Sequence, residues 1–176
     1  FYTKIINEIG QTNIILYNFE KLSGYKFSIN CVEKLVDKFP NQIIAVKDSS
    51  YNLYENLKIK NFDILPGSET KLLNGLELGC SGIITATTNV TAPLARKLYD
   101  NFFNKSPNDI NQKLCDVRLA FEKYNLISAL HTLMTEKNDK FKNILPPLKL
   151  LTEVDRQELL FNLKELNFDI ETLKAA

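Results

Sequence analysis

Four short apolar runs, separated by stretches of helical spacing, restrict this chain more than any other feature of its sequence. "NIILYNF" (13–19), "IIAVK" (43–47), "FDILPG" (62–67) and "GIITATT" (82–88) read as strands from their β-branched and aromatic content and their turn-forming borders. In "NCVEKLVDKFP" (30–40), Val32, Leu35, Val36 and Phe39 share one helical face, Ser28 or Asn30 can cap it, and Pro40 follows its end. "YNLYENLKIK" (51–60) is expected to be a second helix. "ETKLLNGLELG" (69–79) is expected to be a third, with Leu72, Leu73 and Leu76 on one side and Gly79 at its C-terminal cap. The order is β-α-β-α-β-α-β. The strands are continuous apolar runs more than alternating ones, as in parallel strands covered on both faces and joined by right-handed crossovers. Beyond Asn89 the pattern is helical over 91–104, 109–134 and 153–166, with an extended Pro-Pro segment at 143–151.

Four parallel strands followed by helices fit either a small open sheet or one half of a (β/α)8 barrel. The chain opens at Phe1, without methionine, on the helical text "FYTKIINEIG". A half-barrel left alone exposes a hydrophobic edge, so a preceding N-terminal part is expected to be absent. With 176 residues, 44% hydrophobic and 24% charged, the chain has the bulk composition of a globular domain, and a net charge of +1 points to neither a nucleic-acid nor a membrane surface. No run is long enough for a membrane span and no signal-peptide pattern is present. Cys31, Cys80 and Cys115 are widely spaced and odd in number, which argues against a disulfide framework or a zinc site and for a cytoplasmic setting.

In parallel α/β architectures the chemistry gathers at the C-terminal ends of the strands. Those ends read Tyr17-Asn18, Lys47-Asp48-Ser49-Ser50, Gly67-Ser68-Glu69 and Thr85-Ala86-Thr87-Thr88. No carboxylate or histidine cluster with metal spacing occurs there, which disfavours a metal hydrolase. No GxSxG occurs either, and the single histidine, His131, reads as a surface or satisfied core residue of a helical stretch. Amine chemistry is what remains. A lysine at a barrel mouth can attack a carbonyl carbon to give a Schiff base, whose iminium acts as an electron sink. A phenol one strand away, Tyr17, can shuttle the proton. The ordinary alternatives stay open at this point: a strand-end lysine reaching water, and a tyrosine that ends a strand for packing.

The motifs narrow the choice. "LYNFEKLSGYKFS" (16–28) is similar to Y-N-x-P-x-x-S/T-G, "IIAVKDSS" (43–50) to G-I/V-K-D/E-S/T-S/T, "ILPGSE" (64–69) to a glycine-containing loop after a seventh strand, and "GCSGIITATTNVTAPL" (79–94) to G-x-x-G-x-I-S/T-x-x-x-N. In order and spacing the chain resembles the C-terminal part of the dihydrodipicolinate synthase / N-acetylneuraminate lyase family. The resemblance implies an α/β fold, the second half of a TIM (β/α)8 barrel. Strands five to eight would lie within residues 1–105, and a C-terminal helical region would span 106–176. It implies that Lys47 forms a Schiff base with pyruvate or another 2-oxo acid, that Tyr17 relays protons, and that no cofactor beyond that covalent adduct is needed. Ser49, Gly67, Ser68, Glu69, Ile84 (through its backbone) and Leu22 become candidate substrate contacts. A dimer or tetramer of the complete protein is implied too, with no nucleic-acid or membrane partner. The family's Gly-x-x-Gly-Glu and Thr-Thr segments, which serve the pyruvoyl carboxylate and the relay, are not in this sequence.

The departures bear on substrate. Glu20 replaces the motif proline. Leu22 stands where the synthases of this family carry an arginine for the carboxylate of aspartate semialdehyde. Leu22-Ser23-Gly24 is nearer the sialic acid lyase pattern, yet that branch has acidic residues after the strand-seven glycine and a serine near the end of strand eight. Here those places read Ser68-Glu69-Thr70 and Ala86, and only Glu69 could accept from a sugar hydroxyl. The expected activity is therefore a Schiff-base lyase or aldolase for some 2-oxo acid, such as a 2-keto-3-deoxy sugar acid. The alternatives are the 4-hydroxy-tetrahydrodipicolinate synthase reaction of lysine biosynthesis, a non-catalytic homologue that binds a 2-oxo acid, and an incomplete chain that is inactive alone.

Overall fold

The structure, a computed structural model, describes residues 1–168; residues 169–176, the end of the helical region expected over 106–176, lie outside the described residues. The chain divides into two compact units, Phe1–Ile84 and Thr85–Ala176. The helix Thr88–Phe103, which falls within the 1–105 span assigned from sequence to the barrel half, belongs to the second.

In the first unit, α1 (Tyr2–Glu8) leads into β1 (Ile14–Asn18). A single turn, α2 (Glu20–Ser23), follows and ends at Gly24, whose φ of 69° lets its N–H close back on the Glu20 carbonyl at 2.8 Å. Next is α3 (Ile29–Lys38). Ser28 is its cap: the hydroxyl accepts from the Cys31 N–H at 3.2 Å, an arrangement that stabilises a helix by about 1 kcal/mol. β2 (Ile43–Asp48) and β3 (Asp63–Pro66) pair in parallel in the order β1-β2-β3. Leu16 stands beside Val46 and Val46 beside Ile64, while Tyr17 stands beside Lys47 and Lys47 beside Leu65. Because strand side chains alternate, Leu16, Val46 and Ile64 fall on one face. There they share a buried cluster with Val32 and Val36 of α3 and with Phe27, Leu53 and Leu57. The opposite face carries Tyr17 and Lys47.

The structure departs from several of the expectations. The run 82–88 is not a fourth strand. Residues 81–84 lie along β3 with two hydrogen bonds, Ser81 N–H to the Ile64 carbonyl and Ile84 N–H to the Pro66 carbonyl, both 3.1 Å. Those donors are three residues apart and their acceptors two, with Gly82 at φ 146° between them, so one extra residue breaks the ladder. Residues 51–60 do not form a helix either. Tyr51 (φ 57°) and Asn61 (φ 55°) bracket one turn, closed by the Leu57 N–H on the Leu53 carbonyl at 2.8 Å. The strands are also not covered on both sides throughout, since Ile15 and Tyr17 of β1 are 48% and 46% exposed. The helix expected over 69–79 is a 3₁₀ turn (Glu69–Lys71) followed by α4 (Leu72–Glu77), with Gly79 at φ 90° just past its end.

The second unit is helical: α5 (Thr88–Phe103), α6 (Ile110–Glu122), α7 (Leu126–Met134), a 3₁₀ turn (Asp139–Lys142) and α8 (Glu153–Glu165). Val117 and Phe121 of α6, Ala129 and Leu133 of α7, and Leu159 and Leu163 of α8 meet in its core. The helical stretch expected over 109–134 comprises two helices, α6 and α7. Asn125 leaves helical geometry (ψ 120°), and its side-chain oxygen accepts from the Ile127 and Ser128 N–H groups, both at 3.1 Å, which starts α7 afresh. The Pro-Pro segment contains a turn, closed by the Leu148 N–H on the Leu145 carbonyl at 3.1 Å, where an extended run was expected.

Candidate active site

The C-terminal ends of the three strands are tied to one another by backbone bonds that outrun the regular ladder. The Ser49 N–H donates to the Asn18 carbonyl at 2.9 Å, the Gly67 N–H to the Asp48 carbonyl at 2.9 Å, and the Ile84 N–H to the Pro66 carbonyl at 3.1 Å. Ser49, Gly67 and Ile84, singled out from sequence, thus sit side by side on one rim. Gly67 is required there: a Cβ on it would lie 2.2 Å from the Ser49 hydroxyl oxygen and 3.0 Å from the Ser49 Cα.

Lys47 and Tyr17 are register partners one residue before that rim. The Lys47 Nζ lies 4.1 Å from the centroid of the Tyr17 ring, an amine held against a phenol face. Lys47 is half-buried, and among the described residues no carboxylate lies within ion-pair distance of it. The amine is therefore placed by a ring and a strand end, not by a salt bridge. Such an amine can approach a carbonyl carbon without first breaking an ion pair.

Beneath this pair lies a buried polar cluster that sequence reasoning missed. Asn18 and Asp48, fully buried, are the next register partners. The Asn18 amide donates to Asp48 Oδ1 and to Asn52 Oδ1, both at 2.8 Å, and its oxygen accepts from the Phe27 N–H at 3.0 Å. Asp48 Oδ2 accepts from the Leu53 and Tyr54 N–H groups at 2.9 and 3.0 Å. The Asn52 amide donates to the Phe27 carbonyl at 2.8 Å. The available signal was two polar residues, Asn18 and Asp48, closing apolar runs at a position where the strand alternation turns them into the core.

The remaining candidates are placed differently. Ser68 is almost fully buried and caps the 3₁₀ turn, its hydroxyl accepting from the Thr70 N–H at 3.3 Å. Glu69, in that turn, is fully buried. Leu22 lies on α2 beyond the end of β1, 77% exposed. The Tyr54 phenol donates to Glu55 at 2.7 Å, and burial followed by that bond pushes its pKa up to about 12. Burial likewise raises the Cys80 thiol, which makes it a poor nucleophile.

In the second unit, the hydroxyls of Thr85 and Thr87 hold a buried cation. Arg118 Nη1 donates to Thr87 at 2.9 Å and to Thr85 at 3.4 Å, and its Nε donates to Glu122 at 2.9 Å. His131 is held by a 2.9 Å contact between Nδ1 and the Phe141 carbonyl and lines an apolar cavity of about 270 Å³ with Leu130 and Met134. Among the described residues no group of three His, Cys, Asp or Glu side chains could hold a metal ion, no disulfide joins the cysteines, and no helix is long and apolar enough to cross a membrane.

A sequence model described as the dihydrodipicolinate synthetase family matches residues 1–166. The 4-hydroxy-tetrahydrodipicolinate synthase of Buchnera aphidicola (subspecies Cinara cedri) is 31% identical over 179 residues, which cover 93% of this chain and 58% of that protein. The N-acetylneuraminate lyase of Actinobacillus pleuropneumoniae is 33% identical over 105 residues, or 57% of this chain and 35% of that protein. Among solved structures, the dihydrodipicolinate synthase of Agrobacterium tumefaciens superposes with a TM-score of 0.78 at 23% identity, covering 94% of this chain and 58% of the other. At that identity the likeness speaks for the fold alone, which is that of part of a TIM barrel. The chain spans a little under three-fifths of the length of these full-cover relatives.

Proposed function

The chain belongs to the dihydrodipicolinate synthetase family, and on that premise we propose that it carries the amine-bearing part of a Schiff-base lyase or aldolase acting on pyruvate or another 2-oxo acid. The observation that carries the proposal is the Lys47–Tyr17 pair, amine against phenol at 4.1 Å on adjacent strand ends. In the reaction, the lone pair of Lys47 Nζ adds to the 2-oxo carbon. One proton of the amine passes to the former carbonyl oxygen by way of the Tyr17 phenol, a second comes from solvent, the oxygen leaves as water, and an iminium remains. The iminium draws the electron pair from the bond being broken in cleavage, or stabilises the enamine that attacks an aldehyde in condensation. Hydrolysis returns Lys47. The iminium is itself the electron sink, so no cofactor is called for.

The strands β1, β2 and β3 and the extended segment 81–84 correspond in this proposal to strands five to eight of the barrel, with 1–105 as barrel half and 106–176 as the helical region. The N–H groups and side chains at Ser49, Gly67, Ser68, Glu69 and Ile84 shape the pocket, in a cytoplasmic homo-oligomer. The relatives include both a synthase and a lyase. An uncharged, exposed Leu22 offers no cation for an aldehyde's carboxylate, which favours cleavage of a 2-keto-3-deoxy acid over condensation of pyruvate with aspartate semialdehyde.

Borohydride reduction of the full-length protein in the presence of pyruvate tests the proposal. Mass mapping should find a pyruvate-dependent adduct on Lys47, absent in Lys47→Ala. A chain that binds pyruvate and yields no adduct is a non-catalytic binder.

A further inference from the structure

We infer that the buried Asn18–Asp48–Asn52 cluster is the positioning device of the amine–phenol pair, and that its hydrogen bonds, rather than strand pairing alone, set where Lys47 stands against Tyr17. This rests on the Schiff-base proposal for what the pair does, but the geometry stands by itself. Asn18 and Asp48 are the immediate neighbours of Tyr17 and Lys47 in the chain and are paired to each other in the register. Alternation turns them to the core face while Tyr17 and Lys47 face the other way, so each residue of the pair is backed by one residue of the cluster. The strands are short here: β1 has five residues and β2 six, and the register already shifts between Ile14 and Ile15. A slip of one residue would exchange the two faces and carry Lys47 into the core. The 2.8 Å bond between the Asn18 amide and Asp48 Oδ1 opposes that slip at the end of the ladder where the chemistry is.

The cluster also fixes the two loops that leave the strand ends. Phe27 is held through both its N–H (3.0 Å to Asn18) and its carbonyl (2.8 Å from Asn52), and the turn after β2 starts on Asp48 Oδ2, which takes the Leu53 and Tyr54 N–H groups at 2.9 and 3.0 Å. Asp48 thus accepts three hydrogen bonds and Asn18 makes three, a closed polar set whose partial loss leaves buried groups unsatisfied. None of these side chains touches the amine. They act through the backbone of the residue next to it.

The bond between positions 18 and 48 is an amide donating to a carboxylate, so exchanging the two side chains preserves that bond at the expense of the one to Asn52 Oδ1, whereas either single change loses it. Asn18→Asp alone sets two carboxylates against each other, and Asp48→Asn alone sets two amides against each other. The test is this double-mutant cycle in the full-length protein. It is read as the rate of borohydride-trapped pyruvate adduct on Lys47 at saturating pyruvate, at a temperature where circular dichroism shows each variant folded. Each single change is expected to slow trapping on the order of 10- to 100-fold, the effect of a small misplacement of a reacting group. The pyruvate concentration for half-maximal trapping should move far less, and the double change should recover most of the rate. Should a single variant fail to fold, Asn52→Ala, at the less buried end of the cluster, takes its place and should slow trapping without loss of fold. In parallel, reductive methylation with formaldehyde reads the reactivity of Lys47 against that of the exposed Lys34 without any pyruvate. Equal trapping and equal methylation across the folded variants would overturn the inference. So would recovery of stability without recovery of rate in the double variant. An absent adduct in the unmodified protein would instead sink the Schiff-base proposal, while the methylation ratios would still decide whether the cluster positions Lys47.

Discussion

Tyr17 is held by contacts to its ring. The ring lies 5.7 Å from that of Phe19 and against the Lys47 amine, while the hydroxyl makes no hydrogen bond among the described residues. A half-exposed phenol with an unengaged hydroxyl is free to exchange a proton with a bound molecule. Tyr17→Phe keeps the ring contacts and removes only that hydroxyl, so the unfolding midpoint should hardly change. Turnover should fall on the order of 10²–10⁴-fold, the usual worth of a positioned proton donor. An unchanged kcat would reduce the phenol to packing. Tyr124 shows the opposite condition. Burial and then its bond to Glu158 Oε2 (3.1 Å) push its pKa from 10.0 up to about 12. A phenol whose pKa is higher folded than unfolded adds stability that is whole below pH 10, because there it is protonated in both states. As the pH climbs toward 12 the unfolded chain ionises first and that stability is lost. Thermal unfolding followed across this range should show a steeper decline for the unmodified protein than for Tyr124→Phe. Parallel declines would mean that the phenol ionises alike in both states.

The ends of β2 and β3 meet at one close contact. Gly67 packs its Cα face on Ser49, and the Cβ of an alanine there would lie 2.9 Å from the Ser49 Cβ as well as 2.2 Å from its Oγ. Rotating the serine relieves only the second clash, so the β2 and β3 ends must part. Gly67→Ala should destabilise the protein by about 1–3 kcal/mol in denaturant unfolding, the range for overpacking. A change of only a few tenths would show that the loops yield freely. The same closeness explains what was legible in the sequence. β1, β2, β3, α3 and the helices of the second unit follow from apolar periodicity, which local packing enforces. Lys47, Tyr17, Ser49, Gly67 and Ile84 follow from strand ends and motifs. Residues 51–60, expected to be a helix, form one turn instead. The Leu53 and Tyr54 N–H groups of that turn are taken by the Asp48 carboxylate, five and six residues back, a side-chain bond that apolar spacing does not record. The broken ladder at 81–84 likewise depends on one residue too many between two bonds. The α6–α7 break was readable, since Asn125 three residues before Ser128 is a cap signal. The apolar pattern nonetheless runs on across it.

The open edges and uncovered face of the sheet govern how the chain behaves in solution. Among the described residues no strand pairs with the outer edge of β1, whereas the outer edge of β3 is partly covered by the 81–84 segment. The face beside that open edge carries Ile15 and Tyr17, about half exposed, and Ile5 within α1 and Ile9 just past it are also open, at 39% and 44%. An unpaired parallel edge next to exposed isoleucines is a template for pairing with another chain. Parallel strands with one face uncovered are rare, because that face has nothing to bury against. The 176-residue polypeptide, expressed alone, should therefore enhance the fluorescence of a hydrophobic dye and elute above its monomer size of 20.2 kDa. Ile15→Lys, which places a charge on the open strand without touching the core, should reduce both effects and leave the helical signal intact. A monomer that binds no dye and unfolds cooperatively would mean that the β1 edge and the Ile15–Tyr17 face are protected in solution, and that a sheet of three strands suffices to hold the Lys47 site.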